Sequence, residues 1–243
     1  MNEAPKLSPE LKLFSEGPHD MKFVDHIGVI DNFMSQEFCD VTINSFEYYY
    51  GQRYVKENVY GGGDYKLNST NVGDTQFKQG QMGRKDNQLY LEVADAGLAS
   101  QVNAVVGAGF EIYAKEYAGI IDSADPLSSW TCKIQRTDSG GGYHIWHCED
   151  GSFIYRDRVL TWMIYLNDIP YENGGGTDFL HQKCSFQPTR GTIVFWPAAY
   201  THMHRGSFLT GEQSKYIATG WFLREPGNVT ERIIQEQGKH LIQ

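Results

Sequence analysis

The sequence predicts an α+β fold in which helices come first and an antiparallel sheet second. Two observations carry this. Residues 35–46 and 89–121 place apolar side chains at three- and four-residue intervals. From Trp130 onward the pattern changes to short alternating runs, punctuated by glycine triplets at 140–142 and 174–176. A chain of 243 residues that is 40% hydrophobic and 14% aromatic can bury a sizeable core as one domain.

Residues 1–24 are polar and proline-containing and read as an N-terminal arm. A single domain is expected over 25–226, followed by a polar helical tail over 227–243. Ile27-Gly28-Val29-Ile30 reads as a strand. Ser35 then caps a helix, with Glu37 in the first turn where the dipole favours an acid. Phe38, Val41, Thr42, Ser45 and Phe46 form its apolar stripe. Residues 58–80 are rich in Gly, Asn, Asp and Thr and read as a long loop, of a length that is usually functional or disordered. Leu89 to Ile121 is the strongest helical region, with Gly107 and Gly109 expected to break it and Pro126 to end it. Strands are expected at 131–136, 143–149, 159–166, 177–180, 184–186, 191–196 and 215–223. Helices then pack on one face of an antiparallel sandwich or barrel.

The chemistry concentrates in Gly142-Tyr143-His144-Ile145-Trp146-His147-Cys148-Glu149-Asp150. Residues two apart on a strand point to the same side, so His147 and Glu149 aim an imidazole and a carboxylate at one point. A third histidine would complete a 2-His-1-carboxylate face for a divalent metal. Asp150 projects to the opposite side, and His144 is assigned to the surroundings rather than to the ligand set. The third ligand is sought in Phe195-Trp196-Pro197-Ala198-Ala199-Tyr200-Thr201-His202-Met203-His204-Arg205-Gly206, where either His202 or His204 qualifies. Lys215 follows at the start of an alternating strand; a lysine there is ordinarily solvated.

The ordered set His147-Cys148-Glu149, Gly175-Gly176-Thr177-Asp178-Phe179, His204 and Lys215 resembles the 2-oxoglutarate- and iron(II)-dependent dioxygenases, and within them the prolyl 4-hydroxylase-like branch. The resemblance spans about Ile27 to Phe222. It implies a double-stranded β-helix, or jelly-roll, core. It implies His147, Glu149 and the distal histidine as ligands of Fe(II). In that family a basic residue follows the distal ligand by nine to eleven positions. His204 lies eleven before Lys215 and is chosen, with His202 as the alternate. The resemblance further implies 2-oxoglutarate as co-substrate. Lys215 would meet its distal carboxylate, with Tyr165, Thr219 and Trp221 lining the same pocket. Ascorbate is a further implied cofactor. Glu149 departs from the pattern, since most relatives have Asp.

The resemblance implies a hydroxylase that consumes dioxygen, releases succinate and CO2, and acts on a peptidyl prolyl residue or related protein side chain. Partners are then a peptide, protein or small-molecule substrate. The 58–80 loop is the candidate lid. Tyr48, Tyr49, Tyr50, Tyr54, Tyr60 and Tyr65 are candidates for lining a peptide groove. A net charge of −9 argues against nucleic acid as a partner. No apolar run approaches a membrane span. Four cysteines at no zinc-like spacing fit reduced thiols and a cytoplasmic location. Two alternatives use the same residues: a zinc-dependent hydrolase, and a non-catalytic jelly-roll binding module.

Overall fold

The structure is a computed structural model that describes residue 8 and residues 10–52, 56–60, 83–122 and 126–224. The tail at 227–243, and all of the candidate lid beyond Tyr60, lie outside the described residues.

Among the described residues, twelve strands and three α-helices follow in order: β1 (Lys22–Val24), β2 (Ile27–Ile30), α1 (Gln36–Gly51), β3 (Lys56–Tyr60), β4 (Arg84–Tyr90), α2 (Leu91–Ala94), α3 (Ala96–Glu116), β5 (Leu127–Thr137), β6 (Gly142–Tyr143), β7 (Arg158–Tyr165), β8 (Thr177–Phe179), β9 (Cys184–Phe186), β10 (Ile193–Pro197), β11 (His204–Gly206) and β12 (Lys215–Arg224). The large sheet runs β1-β2-β10-β7-β12-β5-β4-β3, with β6 also on β4. A small sheet runs β11-β8-β9. All pairings are antiparallel. This is the expected jelly-roll core, with α1 and α3 packed on the outer face of the large sheet.

Strand alternation sorts the side chains. On the helix side, Ile134, Trp162, Ile164, Phe195 and Ala218 pack with Phe38 and Phe46 of α1 and Val102, Val105 and Val106 of α3. Burying each large apolar side chain contributes about 1.5–3 kcal/mol. Between the sheets a smaller cluster joins Tyr165, Phe179, Val194, Trp196 and Ile217. Ser35 caps α1 as expected, accepting from the Phe38 N–H at 3.0 Å.

Several expectations are corrected. Residues 84–90 form a strand where helix was expected to begin at Leu89. Their polar alternation pairs with β5, with Leu89 opposite Ile134. Helix α3 runs unbroken through Gly107 and Gly109. Gly109 serves packing: a Cβ there would come within 3.0 Å of the Phe195 ring. The 143–149 strand ends at Tyr143, and β11 at 204–206 was not foreseen. Part of the expected arm is built in, since β1 pairs with β2 and Phe14 bridges to Met34. One register shift matters for the site. Thr131 has φ +68° and bulges opposite Gly220, where any Cβ would meet the Thr131 carbonyl.

Candidate active site

His147 and His204 face one another across an isolated antiparallel bridge. The His147 N–H donates to the His204 carbonyl at 3.0 Å, and the His204 N–H returns the bond at 2.9 Å. Each ring is oriented by its own backbone: His147 Nδ1 donates to the Ile145 carbonyl at 2.8 Å, and His204 Nδ1 to the His202 carbonyl at 2.9 Å. Those bonds place the proton on Nδ1 and leave each Nε2 lone pair free.

Both Nε2 atoms point at Glu149 Oε1, from 3.5 Å for His147 and 3.4 Å for His204. The donor atoms of the three residues all lie within 4.8 Å of one another. The Glu149 backbone is held by its N–H, which donates to the Ala198 carbonyl at 2.8 Å. The second carboxylate oxygen, Oε2, accepts from Arg158 Nη1 at 2.9 Å. Burial and the facing His204 push the His147 pKa down, so its ring is neutral. Burial alone would raise the Glu149 carboxyl. The rings of His147 and His204, which donate to and attract the carboxylate when Nε2 carries a proton, outweigh it and hold the group well below the usual carboxylate range. Two imidazole nitrogens and one carboxylate oxygen suit a borderline divalent metal such as iron(II).

The cluster opens onto a cavity of about 760 Å³ between the two sheets. Lys215, Ile217, Thr219 and Trp221 alternate along β12 and all line it. Contrary to the ordinary expectation for a strand-end lysine, Lys215 is buried, only 6% exposed. Its Nζ donates to the Gly175 carbonyl at 2.7 Å. Burial pushes its pKa down to about 8, against the opposing pull of Asp86 and Asp178. Thr219 Oγ1 donates to the Trp162 carbonyl at 2.7 Å. Tyr165 sits one layer back. Its hydroxyl donates to Thr177 Oγ1 at 2.7 Å, and it is Thr177 rather than Tyr165 that lines the cavity.

His202 stands apart. The two histidines do not share a strand face, because His202 closes a short turn at Tyr200–His202 and β11 begins only at His204. Its Nε2 lies 2.7 Å from the Asp25 carbonyl and its Nδ1 3.0 Å from Thr201 Oγ1, so both ring nitrogens are engaged. His144 Nδ1 lies 3.0 Å from the Gly206 carbonyl, and its ring packs on Phe208. Tyr48, Tyr49 and Tyr50 end helix α1 and do not line the cavity, and Tyr54 and Tyr65 lie outside the described residues.

Two lining residues were missed in the sequence. Arg158 holds Glu149 and lies 3.4 Å from the Trp221 ring centre. Lys133 lies 4.3 Å from the same ring centre. Lys133 was findable, since Cys132 and Ile134 are core residues and the residue between them must face the other way.

The family model of the 2OG-Fe(II) oxygenase superfamily matches residues 132–223. That segment begins on β5, ends on β12 and contains all three residues of the cluster. Over that segment, which is less than half of the chain, the sequence is similar to the 2OG-Fe(II) oxygenase superfamily. The fold is similar to that of prolyl hydroxylases. A viral collagen prolyl hydroxylase from Paramecium Bursaria Chlorella virus-1, solved as a 2OG complex, shares 19% identity, with 83% of this chain and 97% of that one covered at a TM-score of 0.54. A Pseudomonas putida prolyl-4-hydroxylase shares 14%, covering 82% and 93% at 0.57. A Trichoplax adhaerens prolyl hydroxylase, in complex with a hypoxia inducible factor oxygen degradation domain peptide fragment, shares 16%, covering 82% and 84% at 0.58. Comparison with curated protein sequences gave no match. Among the described residues, no helix is long and apolar enough to cross a membrane.

Proposed function

We propose that this chain is an iron(II)- and 2-oxoglutarate-dependent hydroxylase acting on a peptidyl prolyl residue or a related protein side chain, in the cytoplasm. The observation that carries the reading is the opening of the His147–Glu149–His204 cluster and the buried Lys215 onto one cavity. His147, Glu149 and His204 hold the metal through Nε2, Oε1 and Nε2. When bound, iron(II) supplies the oxidative chemistry, in which dioxygen and 2-oxoglutarate become succinate, CO2 and a hydroxyl group on the substrate. Lys215 receives the distal carboxylate of 2-oxoglutarate as a point charge. Thr177, steadied by Tyr165, and Thr219 shape the wall beside it, and Trp221 closes the end nearer Arg158. Arg158 fixes Glu149 by occupying Oε2, so that Oε1 faces the two imidazoles. Ascorbate is read as a reductant that sustains turnover. A peptide substrate is favoured by the likeness of fold to prolyl hydroxylases.

Anaerobic addition of iron(II) and 2-oxoglutarate is expected to produce a weak visible charge-transfer band, and admission of air to release succinate. Absence of both would overturn the reading.

A further inference from the structure

The charge of the cavity runs against that of the chain. The whole sequence carries a net charge of −9. The cavity nevertheless has five cationic side chains in its wall and only two carboxylates, Asp86 and Glu149. Three of the cations are matched. Arg84 pairs with Asp86 at 2.6 Å, Arg158 with Glu149 at 2.9 Å, and Arg205 with Asp178 at 3.2 Å. The fourth, Lys215, is the anchor proposed above for 2-oxoglutarate.

The fifth is Lys133. It is 7% exposed, and among the described residues it has neither a hydrogen-bond acceptor nor an ion-pair partner. Its ammonium sits over the Trp221 ring. An aromatic face attracts a cation but leaves its three N–H donors without a lone pair. Glu149, whose charge Lys133 feels, does not fill the need: one oxygen is held by Arg158 and the other faces the two imidazoles. A buried ammonium without acceptors is costly, and in a cavity wall it is poised for an incoming anion.

The register says which anion. Lys215 is paired with Thr137, whereas Lys133 is paired with Thr219. Four residues of β12 separate the two positions, about 13 Å at the usual strand rise. Lys133 therefore belongs to the end of the cavity that holds Trp221, Arg158 and Glu149. Gln135, next along the same face, lines the cavity with a side-chain amide that has no partner among the described residues.

We propose that Lys133 anchors a carboxylate of the prime substrate close to the carbon that is oxidised, forming a second anion subsite separate from Lys215. This rests on the oxygenase reading above. The carboxylate has two sources, the α-carboxylate of a free amino acid and the acidic side chain of a residue beside the target in a peptide.

The test is calorimetric titration of the full chain loaded with Mn(II) and saturated with 2-oxoglutarate. Two matched pairs are used: L-proline against L-prolinamide, and N-acetyl-Glu-Pro-Gly-amide against N-acetyl-Gln-Pro-Gly-amide. The wild type is expected to bind the carboxylate member of one pair at least tenfold more tightly, and which pair responds identifies the source. Lys133→Met is expected to abolish that preference and change 2-oxoglutarate affinity less than threefold, whereas Lys133→Arg keeps the preference. Unchanged 2-oxoglutarate binding shows that the variants are folded. The proposal is overturned if neither pair shows a preference, if the preference survives Lys133→Met, or if Lys133→Met weakens 2-oxoglutarate as much as Lys215→Met does. Failure of the wild type to bind 2-oxoglutarate at all contradicts the oxygenase reading itself.

Discussion

The strands of the large sheet present two faces of opposite character. Toward α1 and α3 they show Leu89, Ile134, Trp162, Ile164, Phe195 and Ala218, all buried and apolar. Toward the cavity the same strands show Gln88, Lys133, Met163, Lys215 and Thr219. One residue of displacement along a strand separates the two, as the pleat dictates. The difference teaches where each cost falls. The helix-covered face supplies the burial that holds the domain together. The cavity face buries two lysines, and burial pushes the pKa of each down to about 8. That expense is tolerable only where a ligand offsets it.

The comparison breaks first on the apolar face. Trp162→Ala should lower the unfolding free energy by about 3–5 kcal/mol, since it empties a fully buried site. Urea denaturation measures this, and the folded fraction should still bind metal. A loss below 1 kcal/mol would mean that the helix-side cluster is not what stabilises the sheet.

On the cavity face the effects should fall on ligands instead. Arg158→Gln releases Glu149 Oε2 and should weaken metal binding roughly 10–100-fold, the usual range for partners that orient a ligand. Titration with Mn(II) reads the affinity, and an unchanged value would remove Arg158 from the site. A smaller effect follows from Lys215. Its ammonium form binds the carboxylate, and its pKa in the free protein is lowered to about 8 because burial disfavours charge. Below that pH the lysine is charged and affinity is full; as pH rises through 8 the proton must be regained on binding. Affinity for 2-oxoglutarate should therefore fall about tenfold between pH 7 and pH 9. A flat profile between those values would contradict a buried, carboxylate-binding Lys215.

Alternation and spacing made much of this legible. The capped α1, the apolar stripe of α3 and strands β7, β8, β9, β10 and β12 follow from periodicities that tertiary packing reinforces. His147 and Glu149 do converge, though not along a continuous strand. The chain is extended at His147 because it bridges His204, and Glu149 is set by Ala198. That bridge joins residues 57 positions apart, which no local pattern can reveal. The β4 strand was hidden because a polar run before Leu89 carries no strong signal until β5 is beside it. Propensity alone would leave Lys215 in solvent, because it counts exposed lysines, while closure of the jelly roll over β12 decides this one. Spacing to Lys215 chose His204 over His202, and the fold supplies the physical reason: two residues of sequence separate a ring tied to Asp25 from one aimed at Glu149.

The most direct test of the central claim is Mn(II) binding, in the presence of 2-oxoglutarate, by wild type, His204→Ala and His202→Ala. The wild type should bind one equivalent, His202→Ala should match it within about threefold, and His204→Ala should lose at least about a hundredfold in affinity. Retention of tight binding in His204→Ala, with loss in His202→Ala, would contradict the site described above.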